Sequence, residues 1–240
     1  MEIAFRTNIE TISCLKKDLS DSVDNNLKTK KAIFKKSIRH LIQPKYGVLN
    51  GSTIKDVYFP STTLDGFRYD FFISHSHNDE EAAMILTTWL EKYYNCSCFV
   101  DSLVWKSADE LLKEIDDKYC YKKHTKTYDY KKRNFTTSHV HAILSIALLD
   151  TIKYSKCCIF IESDESISLE NGLRKKTFSP WLYEEIKYMT LFQPKSSTKY
   201  FAKTDSLNEG LTIKYDAGDL NRFPLLDTMR IKRLGNVIGL

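Results

Sequence analysis

Three short apolar runs, each followed by polar residues, limit most strongly what this chain can fold into. The runs are Tyr69–Ser74, Cys96–Val100 and Cys157–Ile161. A nearly continuous apolar run of this length suits a strand that is buried on both faces of a parallel sheet. Helical patterns separate the runs, and this alternation predicts βα units. We therefore expect an α/β fold with a flavodoxin-like, doubly wound, mainly parallel sheet, in which Phe72, Phe99 and Ile159 are buried.

The helical patterns differ in strength. The segment after the first run repeats its apolar residues with the period of a helix, at Ala82, Ile85, Leu86, Trp89 and Leu90. Residues 138–154 form a convincing helix, and residues 108–116 a shorter one. A further helix is predicted to start at Ser179, because Pro180 follows it and proline is favoured at the first helical position. We interpret residues 211–215 as a last strand, with residues 198–202 as a less supported candidate.

Charge and turn residues suggest where the chain divides. Residues 1–60 carry eleven Lys/Arg and six Asp/Glu, which accounts for the whole net charge of +5. Turn-forming residues are frequent from Gln43 to Gly66. We predict an N-terminal helical, basic appendage and linker over residues 1–65 and an α/β domain over residues 66–240. A basic, tyrosine-rich stretch at about 117–135 is predicted to be a surface insertion without a central strand.

The ends of the predicted strands indicate where a ligand would bind. In an open parallel sheet, ligands bind beyond the carboxyl ends of the strands. In this chain those ends carry polar side chains, in the segments Ser74–His77, Asp101–Trp105 and Glu162–Ser166. A binding site is therefore expected at this edge before any relative is considered.

The helix that starts at Ser179 carries the most distinctive side chains. Trp181, Glu185 and Tyr188 are spaced to share one face, and Glu184 flanks that face. A carboxylate held beside tryptophan in an apolar cleft could stabilise an oxocarbenium-like cation, as carboxylates do in glycoside cleavage. The alternative is a surface glutamate early in a helix, where the helix dipole favours negative charge.

Several other chemistries lack their sequence signatures. His75/His77 and His139/His141 are not joined by the further ligands that a zinc site needs, so no metal is expected. Neither a G-x-S-x-G elbow nor a Gly-rich phosphate loop is present. The six cysteines do not form a zinc-knuckle pattern. No signal core is visible, and no run reaches the roughly 18 apolar residues of a membrane span, so a cytoplasmic protein is expected.

Four segments, in this order, resemble the Toll/interleukin-1 receptor (TIR) domain family. YDFFISHSHND with its following helix resembles the first strand and helix of that family. CFVDSLVWKSADELLKEI resembles the second strand and the BB loop after it, and KCCIFIESDESI resembles the third strand. SPWLYEEI resembles the S-x-W-x-x-x-E helix. The resemblance covers about residues 66–215 and is greatest to prokaryotic members, including those of Thoeris-type antiphage systems. The segment Ser102–Ala108, at the BB-loop position, lacks the usual glycine or proline.

The resemblance implies cleavage of the nicotinamide–ribose bond of NAD⁺, which is a substrate, without a separate cofactor. It assigns catalysis to Glu185, with Glu184 as the alternative in the neighbouring register. It implies that substrate contacts come from the strand ends and the same helix, namely Ser74, His75, Ser76, Asp101, Trp105 and Trp181. The product would be ADP-ribose or a cyclic isomer, which a separate effector protein would recognise in antiphage defence.

Two other functions are compatible with the same sequence. Many TIR domains only assemble with one another, and exposed Leu103, Val104 and Trp105 would suit a non-catalytic module of that kind. Homo-oligomers through TIR–TIR contacts are expected under either reading. A nucleic-acid arm formed by the basic N-terminal helices is the least favoured alternative.

Overall fold

The protein is described by a computed structural model, which covers residues 3–19, 51, 69–100, 102–170, 174–193 and 213–238. Of residues 102–110, 174, 237 and 238, only the backbone is described. The strands are β1 (Ile3–Asn8), β2 (Tyr69–Ser74), β3 (Cys98–Val100), β4 (Tyr121–Lys122), β5 (Thr127–Tyr128), β6 (Ser155–Glu162), β7 (Ser168–Glu170), β8 (Arg174–Thr177) and β9 (Tyr215–Asp216). The helices are α1 (Ile9–Lys16), α2 (Glu80–Tyr94), α3 (Ser102–Tyr119), α4 (Tyr130–Lys153), α5 (Pro180–Leu191), α6 (Thr228–Ile231) and α7 (Leu234–Ile238).

Within the described part of the chain, four parallel strands form the central sheet in the order β1-β6-β2-β3. The register aligns Phe72 of β2 with Phe99 of β3 on one side and with Cys158 of β6 on the other. Phe72, Phe99 and Ile159 are 0, 6 and 0% exposed. The α/β class, the mainly parallel sheet and the burial of these three side chains are therefore confirmed.

Helices cover both faces of this sheet. Successive side chains of a strand point to opposite faces, so β2 places Phe72 on one face and Phe71 and Ile73 on the other. Phe72 packs in a cluster with residues of α3, α4 and α5. Phe71 and Ile73 pack in a second cluster with residues of α1, α2 and α6. Burial on both faces explains why the strands are apolar throughout instead of alternating.

The predicted N-terminal appendage is wrong for its first part. Strand β1 pairs with β6 from Ile3↔Cys157 to Asn8↔Glu162, at the edge of the central sheet. Ile12 and Leu15 of α1 are buried in the cluster that covers one face. The strand is hard to recognise because Arg6 and Thr7 interrupt its apolar pattern, and Glu162 compensates the charge of Arg6. Residues 20–65, apart from Gly51, lie outside the described residues.

The BB-loop assignment is also wrong in its local structure. Helix α3 follows β3 and begins at Ser102. The segment Ser102–Ala108 is therefore helical and not a loop. The helix extends to Tyr119, well beyond the predicted 108–116. An absence of glycine and proline from Ser102–Ala108 is compatible with this helix.

The stretch Lys118–Phe135 lies on the surface apart from the buried Cys120, in agreement with its composition. Its short strands β4 and β5 pair with each other, and with no other described strand, in an antiparallel hairpin between α3 and α4. The last predicted strand is reduced to β9, which pairs antiparallel with β8 in a separate three-stranded sheet. Residues 198–202 lie outside the described part of the chain.

One helix among the described residues, α4, is long and apolar enough to cross a membrane by length and composition alone. A third of its apolar window is buried inside the protein. Val140, Leu144 and Leu148 supply part of this burial, and they pack in the cluster that also contains Phe72. A single helix of this kind indicates little about membranes, because core helices share its composition.

Candidate functional site at the carboxyl end of the sheet

Helix α5 begins where the sequence predicts and is fixed by its own cap. The Ser179 side chain accepts a hydrogen bond from the Leu182 backbone N–H, and Pro180 occupies the first turn. Leu182, Ile186 and Met189 are buried against the sheet. Glu185 lies between Leu182 and Ile186 along the chain and is turned inward with this apolar stripe.

Glu185 is completely buried and is joined to the end of β2. Its side chain is 0% exposed, as is that of Ser74. The Ser74 hydroxyl donates to Oε2 of Glu185 over 2.5 Å. The pKa of the nearby Cys158 thiol is raised well above its ordinary value by burial, with smaller contributions from Cys157 and Glu185. An ionisable carboxyl therefore lies in the protein interior at the carboxyl end of the sheet.

Glu184 faces a different neighbour. The Ser145 hydroxyl of α4 donates to Oε2 of Glu184 over 2.9 Å, and His141 Nε2 lies 3.8 Å from Oε1. The Glu184 side chain is 22% exposed. Burial, followed by the charge of Glu184, raises the pKa of Tyr188. The two adjacent glutamates thus have the separate environments that their sequence register predicts, with Glu185 inside and Glu184 nearer to solvent.

Trp181 packs against His141, which is also a partner of Glu184. Its indole stacks on the His141 ring with centroids 4.4 Å apart and planes at 24°. His141 is also the residue that pairs with Glu184. This stacking holds the indole against α4, and the grouping of Trp181 with Glu185 stays a prediction. Trp181 is three residues from Glu184 and four residues from Glu185 along the helix. Helical spacing therefore makes it a neighbour of both glutamates.

The loops after β2 and β6 are joined to each other. The Ser163 hydroxyl donates to Asp79 Oδ2 over 2.5 Å, and Asn78 donates to Glu165 over 2.6 Å. Burial raises the pKa of Asp79, although the Ser163 hydrogen bond and the charge of His75 act in the opposite direction. His75 is 2% exposed in the first of these loops. The two strand ends that border the site are therefore held at a fixed separation.

Ser76 has a local role in the same loop. It precedes the short 3-10 turn His77–Asp79, and its carbonyl accepts the Asp79 backbone N–H over 2.8 Å. Asp101 and the side chain of Trp105 lie outside the described residues. Of the predicted site residues, the structure thus brings Ser74 and Glu185 together, and it places His75 and Ser76 in the adjoining loop.

Sequence reasoning missed a charged cluster at the end of β6. Glu162 pairs with Arg6 of β1 at 2.5 Å and with Lys175 of β8. Arg6 also donates to the Phe223 carbonyl. The sequence showed that β6 ends in acidic residues. Its basic partners, Arg6 and Lys175, belong to β1 and β8, and neither strand was predicted from the sequence. This cluster ties the central sheet to the smaller one.

No group of three or more His, Cys, Asp or Glu side chains that could hold a metal ion occurs among the described residues. No protein-family model, curated protein or solved structure matches this chain. The Ser74–Glu185 pair offers one buried, hydrogen-bonded carboxyl group, and the Glu184 group offers a second carboxyl next to histidine, serine and two aromatic rings.

Proposed function

We propose that this protein cleaves the nicotinamide–ribose bond of NAD⁺ at the carboxyl end of its sheet, with Glu185 as the catalytic carboxylate. The observation that carries the proposal is the buried hydrogen bond between Ser74 of β2 and Glu185 of α5. The TIR resemblance of the SPWLYEEI helix supports the same residue. In this proposal the fold belongs to the TIR class, in its flavodoxin-like form.

The chemistry follows from the charge that develops on the ribose. The bond from C1′ to the pyridinium nitrogen breaks, and nicotinamide leaves as a neutral molecule with the bonding electron pair. The ribose becomes oxocarbenium-like, and a nearby carboxylate stabilises that cation most strongly in a site with little water. Water then adds to C1′ and releases a proton, which gives ADP-ribose. Attack by a nucleophile of the same molecule gives a cyclic isomer instead.

Ser74 would act as a positioning residue. Its hydroxyl holds one carboxyl oxygen of Glu185 at the strand end and so fixes the orientation of the carboxylate. Because Glu185 is enclosed in the present conformation, binding of NAD⁺ requires movement of the surrounding side chains. We further propose that the active form is a cytoplasmic homo-oligomer and that its nucleotide product acts on a separate effector in antiviral defence.

The test is release of nicotinamide from NAD⁺, followed by chromatography at high protein concentration. Glu185→Gln keeps the shape of the side chain and removes its charge, so we expect nicotinamide release to fall by about 100-fold or more. Glu184→Gln is the matched control on the same helix, and it should retain most of the activity. Loss in the Glu184 variant alone would exchange the two roles. Unchanged release in both variants would refute the catalytic proposal.

A second candidate is a non-catalytic TIR-type interaction module, in which the Ser74–Glu185 contact serves only stability. The complete enclosure of Glu185 favours it, because a structural carboxyl needs no access for substrate. Nicotinamide release separates the two candidates. Under this second function, wild-type protein releases none at any concentration, and Glu185→Gln changes only the unfolding transition.

A further inference from the structure

The hairpin between α3 and α4 concentrates positive charge. We define the basic hairpin as residues Lys118–Phe135, which contain seven Lys/Arg and a single acidic residue, Asp129. The rest of the chain holds 29 Lys/Arg and 30 Asp/Glu, so its net charge is slightly negative. The net charge of the basic hairpin is therefore larger than that of the whole protein. Ion pairs join Lys122 to Asp129 and Arg133 to Asp116. Lys123, Lys126 and Lys131 are exposed around these pairs.

Aromatic rings are interspersed with these charges. Tyr130 is 77% exposed, Phe135 is 66% exposed, and Tyr121 is 41% exposed. Tyr121 and Tyr128 form an edge-to-face pair across the hairpin, and the Arg133 guanidinium lies over the Tyr128 ring. Large aromatic residues are normally buried, and several of them exposed together within a charged segment mark an interaction surface.

The tip of the hairpin holds a lysine where the backbone favours other residues. Lys126 has φ of 54°, in the left-handed region that glycine and asparagine adopt more easily. A lysine at this position costs conformational energy and places an additional positive charge at the tip. Strained residues of this kind occur where function opposes local stability. The whole tip is polar, since it consists of Lys123, His124, Thr125 and Lys126.

The basic hairpin stands on the same end of the molecule as the candidate site. The carboxyl end of α4 leads directly into β6, so α4 runs from the carboxyl edge of the sheet to the amino edge. His141, eleven residues from the start of α4, lies level with Trp181 of α5. At 1.5 Å per residue, the first part of α4 carries the hairpin about 16 Å past that level. The hairpin therefore projects into solvent and is accessible to a large partner.

We propose that the basic hairpin binds single-stranded nucleic acid, with its lysines on the phosphates and its exposed rings stacked on bases. Positively charged grooves combined with aromatic stacking are the usual means of binding single strands. An anionic membrane is less suitable, because the polar tip offers no apolar side chain for insertion. This proposal does not depend on the NAD⁺-cleaving function, since none of its residues belongs to the candidate site.

The experiment measures fluorescence anisotropy of fluorescein-labelled oligo(dT) and oligo(rU), each of about 20 nucleotides so that one binding site fits. We expect saturable binding by the full-length protein that weakens as salt increases, because lysine–phosphate contacts release counterions. Lys123→Glu together with Lys126→Glu should weaken binding by about tenfold or more. Lys17→Glu with Lys153→Glu is the matched control, because it makes the same charge change at the opposite end of the molecule.

The aromatic contribution is tested separately at Tyr130. Tyr130→Ala should weaken binding by about tenfold, while Tyr130→Phe, which keeps the ring, should bind like the wild type. Circular dichroism checks that each variant is folded. The proposal is overturned by the absence of any anisotropy change up to about 100 µM protein, the weak limit of non-specific binding. It is equally overturned if the control pair weakens binding as much as the hairpin pair, if Tyr130→Phe behaves as Tyr130→Ala, or if the protein binds only phosphatidylserine vesicles.

Discussion

At the scale of single residues, the hydrogen bond from Ser74 to Glu185 is the contact whose loss is easiest to measure. Ser74→Ala removes a donor from a carboxyl group that water cannot reach. A buried polar group that loses a partner costs about 1–3 kcal/mol. We therefore expect the free energy of unfolding, measured in urea, to fall by about that amount.

Ser145→Ala provides the comparison for this prediction. Ser145 also donates to a glutamate, Glu184, but that carboxyl is partly exposed and can exchange the hydroxyl for water. The expected loss is at most about 1 kcal/mol. Equal effects of the two substitutions would show that burial does not strengthen the Ser74 contact.

Asp79 provides a prediction about pH. Burial raises its pKa above the ordinary value of 3.8, so the folded state binds the proton more tightly than the unfolded state. The contribution of Asp79 to stability is therefore fully present below pH 3.8 and is lost as pH rises through the raised pKa. Asp79→Asn does not titrate, and it should gain stability relative to the wild type between about pH 4 and about pH 7. Urea unfolding at both pH values measures this difference, and a constant difference would contradict it.

The two glutamates and Trp181 show what sequence reasoning achieves at this scale. A step of about 100° per residue separates Glu184 from Glu185, and this was enough to predict which of them faces the strand ends and which lies nearer to solvent. The partner of Trp181 depended on where α4 lies, and no local spacing contains that information. The cluster of Arg6, Glu162 and Lys175 was missed for the same reason, because its members come from three different strands.

At the scale of elements, the end of α2 depends on one left-handed residue. Asn95 has φ of 48° and is exposed. Asparagine and glycine tolerate this conformation, whereas alanine pays a steric cost of about 1 kcal/mol. Asn95→Ala should lower the thermal unfolding midpoint, and Asn95→Gly should leave it nearly unchanged. A similar decrease in both variants would mean that the side chain of Asn95, and not its backbone conformation, stabilises the helix end.

The elements also differ in how far their sequences identified them. Strands β2 and β6 were recognised because burial on both faces makes them apolar throughout. Helix α5 was recognised by Ser179 and Pro180 at its start. Helix α3 was expected only from residue 108, because its first turns were interpreted through a loop of the TIR family. Their composition, which lacks glycine and proline, already favoured a helix.

At the scale of the whole molecule, the first strand decides whether the sheet is complete. A truncated protein that lacks residues 1–17 loses β1 and α1, which bury Phe5, Ile12 and Leu15. These three side chains contribute about 5–9 kcal/mol in total, which is comparable to the stability of a typical domain. We expect this protein to be insoluble or to lack a cooperative unfolding transition by circular dichroism.

The control for truncation is a shortened loop at the tip of the basic hairpin, away from β1. Replacing Lys123–Lys126 by an Asn-Gly turn shortens an exposed loop without removing core residues, so cooperative unfolding should persist. A truncated protein that unfolds with the wild-type midpoint would show that β1 is dispensable.

The position of β1 in the sheet could not be predicted from the sequence, for a physical reason. Alternating apolar runs and helices predict parallel strands, and β2, β3 and β6 are parallel, although β6 lies next to β2 and not next to β3. Strand β1 pairs with a strand more than 150 residues later. Whether β6 can accept β1 on the side away from β2 depends on how the whole chain is arranged. The local sequence of β1 therefore does not indicate this pairing.

The position of β1 also affects how the protein is made. Its backbone and the Thr7 side chain hydrogen-bond to Pro224 and Leu226, so Thr7 waits for a partner 219 residues later in the chain. At a synthesis rate of about 5–20 residues per second, this delay is about 10–45 s. Until then one edge of β1 keeps open backbone groups, and an unpaired strand edge in a nascent chain is a site for chaperone binding and aggregation. We therefore expect production of this protein to depend on how well the open edge of β1 is protected until residues 224–226 have been translated.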